Sequence, residues 1–198
     1  MVNACSDRAD LVSVATTVEV ASPEGAPPTL PPLKERTAEE RLWNSRSLTK
    51  MRNKMTSTIA ARVVLGGRVS GQQGLLPGVF EEAVLALQAE KPLYIAGGFG
   101  GCGRMLVSAI RGSKSEELTL TYQSEHGSHY SELYDYAASV GAAPPFDDLQ
   151  GMVRNAGIAG LNNGLDGQEN ERLFVTDDVD EMVALLVRGL RRVFGSRS

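Results

Sequence analysis

Glycine is concentrated in two short stretches, and each follows a run of mostly apolar residues. The denser stretch, GGFGGCG at 97–103, has five glycines in seven positions and comes after PLYIA. Its residues 98–103 match GxGxxG, a pattern in which backbone amides and the start of a following helix hold a phosphate. A tight turn against a neighbouring strand would need the same glycines. The pattern therefore predicts a phosphate or pyrophosphate site and leaves the purely structural interpretation open.

The second stretch, LGGRVSGQQGLLPGVFEEA at 65–83, adds Arg68, a Pro77-Gly78 turn and the paired acids Glu81 and Glu82. Neighbouring helix positions point about 100° apart, so we expect the two carboxylates not to face one site. One would complement the helix dipole or be solvated, and the other would accept ribose hydroxyls or act on a glycosidic carbon. A purely structural role for both acids is the open alternative, because acids are common in a first helical turn. The predicted ligand or phosphate contacts are Gly66, Gly67, Arg68, Gly78, Glu81, Glu82, Gly97, Gly98, Phe99, Gly100 and Gly101.

Four other side chains have types that could do chemistry. Arg52 lies on a long predicted helix from which a guanidinium could reach the strand ends and clasp a phosphate. His126 and His129 are three residues apart without a clear third ligand, so we predict surface residues and no metal. Cys102 has no identified base nearby, which argues against a nucleophilic role.

The composition sets the class of protein. A chain of 198 residues with 42% hydrophobic content can bury one core, and a net charge of −4 gives no overall attraction to nucleic acid, which is not an expected partner. Two cysteines are too few for a disulfide framework. The start of the chain reads as neither a signal peptide nor a membrane span, so we predict a cytoplasmic protein without membrane contact.

The helices and strands that position these residues are predicted from the spacing of apolar residues and from the positions of proline, glycine and capping residues. Residues 11–21 have the pattern of a strand, and residues 22–35 form a proline-rich connector. We therefore divide the chain into an N-terminal strand and connector at 1–36 and a nucleotide-binding domain at 37–198. Thr37 and Glu40 form a possible capping box for a helix over 38–58. Further strands are predicted at 62–67, 92–98 and 172–176, and further helices at 77–90, 102–112, 129–141 and 145–157. The segment 115–123 could be a strand or a short helix. A terminal helix is predicted with Met182, Val183, Leu186 and Leu190 facing inward.

Strands that alternate with helices imply right-handed crossovers. The fold class is therefore α/β, with a Rossmann-like parallel sheet and helices on both faces. In such sheets ligands sit beyond the carboxyl ends of the strands, where both glycine stretches fall. A dinucleotide-binding motif also needs an acidic residue about 20 residues after its glycines, at the end of the next strand. Glu125 has this spacing from Gly103, but the strand predicted before it is doubtful.

Two segments of the chain resemble a known family. Residues 47–101, from SLTKMRNKM to YIAGGFGG, and 160–190, GLNNGLDGQENERLFVTDDVDEMVALLVRGL, are similar to the SLOG superfamily of Smf/DprA- and LOG-type Rossmann-like domains. The second segment looks closest to its defence-associated sensor branch. The resemblance implies a pocket for a nucleotide-derived ligand lined by GGR, PGVFEE and GGFGG. A full domain of this superfamily starts with one more strand and glycine turn. On this resemblance we expect the chain to lack that first unit, either as a fragment or with its sheet completed by a partner chain.

The resemblance also implies a possible enzyme. LOG-type members cleave the N-glycosidic bond of nucleoside monophosphates with a helix arginine and a glutamate that closes a glycine-rich motif. Glu82 matches that glutamate, and Arg52 is displaced by one position from the expected arginine. Leu65 stands where proline is expected, and Val79 replaces a phosphate-binding threonine.

These departures favour a binder over an enzyme. We therefore predict non-catalytic sensing of an NAD-derived or cyclic nucleotide such as cyclic ADP-ribose, in a homo-oligomer or with an attached effector, and with no required cofactor. A LOG-type phosphoribohydrolase that uses Glu82 and Arg52 is the alternative. An NAD-dependent oxidoreductase is the second alternative.

Overall fold

The computed structural model describes residues 30–195, and the strand predicted at 11–21 lies outside them. The helices of the described part are α1 Ala38–Thr58, α2 Gly78–Gln88, α3 Gly101–Ile110, α4 Leu120–His126, α5 Tyr130–Ser139, α6 Phe146–Ala156, α7 Gly167–Val175 and α8 Val179–Phe194. The strands are β1 Arg62–Leu65 and β2 Leu93–Ala96. Single 3-10 turns lie at Leu33–Glu35, Gly97–Phe99, Glu116–Leu118 and Ala159–Leu161.

Helix α1 begins where the sequence predicts it. The Thr37 hydroxyl accepts a hydrogen bond from the Glu40 amide at 3.2 Å, and the Glu40 carboxylate accepts one from the Thr37 amide at 2.8 Å. This reciprocal capping box satisfies two amides that have no partner within the helix. The predicted bounds of 38–58 are confirmed.

The two strands form a parallel pair. Arg62 aligns with Leu93 and Leu65 with Ala96, so β1 and β2 end level with each other, directly before Gly66 and Gly97. The order strand, helix, strand, helix over residues 62–110 confirms the α/β class. Within residues 30–195 the sheet contains these two strands, fewer than a complete Rossmann-like sheet has.

Helices cover both faces of β2. Leu93 and Ile95 point into a core built with α2 and α3, whereas Tyr94 and Ala96 pack against α7 and α8. This alternation follows from the two-residue period of a strand and confirms the predicted layers. The second face of β1 is less covered, because Val63 is 46% exposed.

Two predictions near the C-terminus are wrong. Residues 172–176 belong mainly to helix α7, because Asp166 and Glu169 form a capping box that starts a helix at Gly167. A short apolar run such as LFV is compatible with either a strand or a helix, so it does not by itself distinguish the two. In α8, Val183 does not face inward, since it is 46% exposed; Leu185 is the buried residue of that helix turn. The ambiguous segment at 115–123 is a 3-10 turn followed by α4.

Candidate functional site at the carboxyl ends of the strands

The two glycine stretches meet at the carboxyl edge of the sheet. The amide of Cys102 donates to the carbonyl of Gly67 at 2.9 Å, and the amide of Gly103 donates to the carbonyl of Gly66 at 2.8 Å. The first turn of α3 is therefore tied to the turn after β1. The convergence is the one predicted, but these two amides are already used and cannot hold a phosphate.

Close approach of backbone segments accounts for several of these glycines. Gly101 has a φ of +54°, and a Cβ built on it would lie 2.2 Å from the carbonyl oxygen of Gly67. A Cβ on Gly98 would lie 2.0 Å from the carbonyl oxygen of Thr176, and one on Gly97 would lie 2.4 Å from that of Phe174. The exclusion of side chains here thus has a structural cause. Contact of these glycines with a ligand stays a prediction.

Two arginines directly follow glycines of these stretches in sequence, and neither has a carboxylate partner among residues 30–195. Arg68 and Arg104 are exposed, and neither forms an ion pair with another residue among 30–195. The guanidinium of Arg104 points toward Gly100, with Nη2 3.9 Å from where a Cβ on that residue would be. Both cations would attract an anion placed at the strand ends.

Arg104 lies next to the glycine turns but was not among the residues predicted from the sequence. It sits in the first turn of α3, which carries no acidic residue. The positive end of the helix dipole favours acids there and disfavours a cation. A basic residue in the first turn after a glycine run was the signal that could have identified it.

A groove of about 640 Å³ opens beside the glycine turns. Its lining includes Gly101, Arg104, Lys114, Glu117 and Tyr122. We name this the Arg104 groove. Its volume falls within the range of small-molecule pockets, and it mixes cationic, carboxylate, hydroxyl and aromatic groups.

The predicted pair Arg52 and Glu82 also comes together, in a buried ion network next to α2. Arg52 Nη1 lies 2.5 Å from Glu81 Oε2, while its Nε lies 3.7 Å from Glu82 Oε1. Arg62 Nη1 lies 3.1 Å from the other oxygen of Glu82. The forked guanidinium of Arg52 thus contacts both adjacent acids. That the two acids do not face one ligand site stays a prediction. Gly78 makes room for it, since a Cβ there would lie 2.6 Å from Arg52 Nη2.

Glu81, and not Glu82, lines an open groove of about 680 Å³. Its walls come from α1, from Leu75 and Leu76, and from the segment before α6. We name it the Glu81 groove. The Glu81 carboxylate in it accepts hydrogen bonds from Thr49 and Arg52. Arg62 was not predicted as part of this network, and as a cation at the start of a strand it gave no sequence signal.

The remaining candidates are held by local contacts. Nδ1 of His126 donates to the carbonyl of Tyr122 at 2.9 Å, and the two rings stack with centroids 4.0 Å apart. His129 pairs with Glu132 at 3.3 Å. In the described part of the chain, no group of three or more His, Cys, Asp or Glu side chains is arranged to hold a metal ion.

Cys102 is fully buried under the glycine turns. Burial raises the pKa of its thiol to about 12, because an apolar environment disfavours the thiolate. A thiol that stays protonated is a poor nucleophile. Glu125, the candidate acid of a dinucleotide-binding motif, lies within helix α4 and not at a strand end.

Parallel strands that end in glycine turns, with helices on both faces, define a Rossmann-like α/β domain. The chain belongs to the SLOG superfamily, since residues 3–173 match the family model described as SLOG cluster2. The resemblance to that superfamily is thereby confirmed. A comparison with curated proteins and one with solved structures found no significant match. None of the helices within residues 30–195 combines the length and apolar character needed to cross a bilayer.

Proposed function

We propose that this protein is a non-catalytic binding domain for a nucleotide-derived anion, which it holds at the carboxyl edge of its sheet. The observation that carries the proposal is the pair of exposed arginines, Arg68 and Arg104, which directly follow Gly67 and Gly103 of the joined glycine turns in sequence and have no acidic partners among the described residues. Membership in the SLOG superfamily supports a nucleotide-related ligand.

The phosphate of the ligand would lie against the guanidinium of Arg104, and Arg68 would supply a second positive charge at the turn after β1. Charge-assisted hydrogen bonds from arginine are about twice as strong as neutral ones, and the N-terminus of α3 adds a favourable dipole. The net charge of the whole chain is −4, so the attraction of an anion has to come from such a local cluster of positive side chains. The amides of Cys102 and Gly103 do not take part, because they donate to carbonyls.

The rest of the ligand would occupy the Arg104 groove. Tyr122, whose ring stacks on His126 with one face, would pack its other face on a nucleobase. Glu117, which also accepts a hydrogen bond from Ser115, would accept ribose hydroxyls. Phosphate, ribose and base together describe ADP-ribose, its cyclic isomer or NAD as the ligand class. No cofactor is needed for such binding.

We further propose that binding is a regulatory signal, as in the defence-associated branch that the sequence resembles, in a cytoplasmic protein that forms homo-oligomers or carries an effector. Gly97 and Gly98 touch the backbone of residues 174–176, which leads into α8. A ligand that contacts the glycine turn is therefore one backbone contact away from a long, partly exposed helix. Coupling requires only that the ligand bind two arrangements of this contact with different affinity.

A LOG-type phosphoribohydrolase is the second candidate, and one arrangement favours it. Arg52 contacts both Glu81 and Glu82, which include the arginine and glutamate that the resemblance assigns to catalysis, and Glu81 lines the Glu81 groove. Release of free base from nucleoside monophosphates that disappears in Glu82→Gln would establish this activity. No arrangement in the described residues favours the oxidoreductase.

Thermal-shift measurements test the binding proposal. ADP-ribose, cyclic ADP-ribose and NAD are compared with pyrophosphate and free adenine. A ligand that binds only the folded state raises the melting temperature, and the shift grows with the logarithm of the ligand concentration above Kd. We expect stabilisation by at least one of the three nucleotides and its loss in Arg104→Glu. No shift with any of them would overturn the proposal.

A further inference from the structure

Helix α8 carries an apolar stripe that the described part of the chain leaves uncovered. Val179, Val183 and Val187 recur every four residues and are 56%, 46% and 40% exposed. Phe194 extends the stripe to the end of the helix at 38% exposure. Side chains at this spacing share one side of a helix. Leu185, which is buried, points to the opposite side, into the core.

Strand β1 also has apolar side chains that the described part of the chain leaves uncovered. Val63 and Leu65 pair in register with Tyr94 and Ala96, and paired residues of a sheet point to the same face. That face is the one that α8 packs on. Val63 and Leu65 are 46% and 47% exposed, so this part of the sheet face is open. The stripe on α8 is the exposed apolar surface that we consider as an interaction site.

Charges at the border of the stripe indicate what covers it. Asp180 and Arg191 are eleven residues apart, about three helical turns, so they lie on the same flank at opposite ends. Both are exposed, and neither forms an ion pair within residues 30–195. Arg192, by contrast, is held by Glu169.

We propose that the surface binds a second copy of this chain through antiparallel pairing of α8 with its symmetry mate. In that arrangement Asp180 of each copy meets Arg191 of the other, which gives two equivalent ion pairs beside a shared valine seam. A two-fold axis requires a self-complementary surface, and opposite charges at the two ends of one flank provide it. Parallel pairing would place Asp180 against Asp180 and is disfavoured. The inference does not depend on the proposed ligand.

Sedimentation equilibrium of the full chain without nucleotide tests this. We expect a dimer for the wild type and a loss of affinity of roughly tenfold or more in Val183→Glu, because a charge would be buried in the seam. Val183 is exposed in the single chain, so circular dichroism should show an intact fold. Lys54→Glu, on the exposed side of α1, is the matched control and should leave the dimer unchanged.

Charge exchange tests the orientation. Asp180→Arg and Arg191→Asp should each weaken the dimer, because each places like charges opposite one another. The double variant carrying both changes should recover the wild-type affinity. A monomeric wild type would overturn the proposal, and so would a dimer that Val183→Glu leaves intact or a double variant without recovery.

Discussion

Arg52 and Glu81 form an ion pair between α1 and α2, with Nη1 2.5 Å from Oε2 and side chains only 12% and 10% exposed. The same guanidinium approaches Glu82, and the Nε of Arg52 has no hydrogen-bond partner among the described residues. The charges are nearly withdrawn from water, so each depends on the other for compensation. The network therefore holds the first turn of α2 against the middle of α1.

Removal of Arg52 should be strongly destabilising. Arg52→Met leaves the Glu81 carboxylate buried with Thr49 as its remaining side-chain partner, and we expect a loss of about 3 kcal/mol or more in the free energy of unfolding. Urea denaturation measures this. Lys54→Met on the exposed side of the same helix should change stability by less than about 0.5 kcal/mol. Similar effects of the two variants would contradict a compensated buried pair.

Gly98 should tolerate no side chain. Gly98→Ala would place a Cβ about 2.0 Å from the carbonyl oxygen of Thr176, and backbone on both sides cannot yield easily. We expect a loss of roughly 1–3 kcal/mol or more in the free energy of unfolding. Gly167→Ala is the control, because no atom lies within 4 Å of its Cβ position and alanine suits the start of a helix. Equal stability of Gly98→Ala and the wild type would refute the close packing.

Glu169 should make the protein sensitive to acid. Hydrogen bonds from Arg192, from the backbone amide of Asp166 and from Arg188 lower the pKa of its carboxyl from 4.5 to about 2. Below pH 4.5 the unfolded chain takes up this proton before the folded one does. The stabilisation is therefore complete above pH 4.5 and is lost as the pH falls toward 2.

Glu169→Gln should lower stability at neutral pH and flatten the decline between pH 4.5 and 2. Denaturation midpoints across this range provide the measurement. Glu125→Gln, at an exposed position of α4, should leave the profile unchanged. A Glu169→Gln profile parallel to that of the wild type would show that another group causes the acid sensitivity.

Cys102 should be chemically inert in the folded protein. Its buried thiol, with a pKa near 12, gives almost no thiolate at pH 8. In a Cys5→Ser background, we expect the thiol reagent DTNB to react only after urea is added. Rapid labelling of the native protein would show that the glycine turns open readily.

Local signals predicted the elements that depend on local chemistry. Thr37 and Glu40 fixed the start of α1, because a capping box involves four consecutive residues. The run 172–176 was misassigned, because its helix depends on a cap at Asp166 and on burial of Leu173 and Phe174 against other elements. Propensity is a weak guide where tertiary packing decides.

Some features of the candidate site could likewise be predicted from the sequence, and others could not. The convergence of the glycine turns follows from parallel topology and was predicted. The use of their amides by carbonyls, and the span of Arg52 across Glu81 and Glu82, depend on distances between segments far apart in sequence. No pattern in a single segment carries that information.

Calorimetric titration of the protein with ADP-ribose, cyclic ADP-ribose and NAD tests the central claim most directly. Wild-type protein is compared with Arg68→Glu, Arg104→Glu and, as a matched control, Lys91→Glu at the opposite edge of the sheet. We predict saturable binding of one of these nucleotides that is abolished by either arginine reversal and retained in Lys91→Glu. Absence of binding, or binding that all three reversals leave unchanged, would contradict a nucleotide site at the carboxyl ends of the strands.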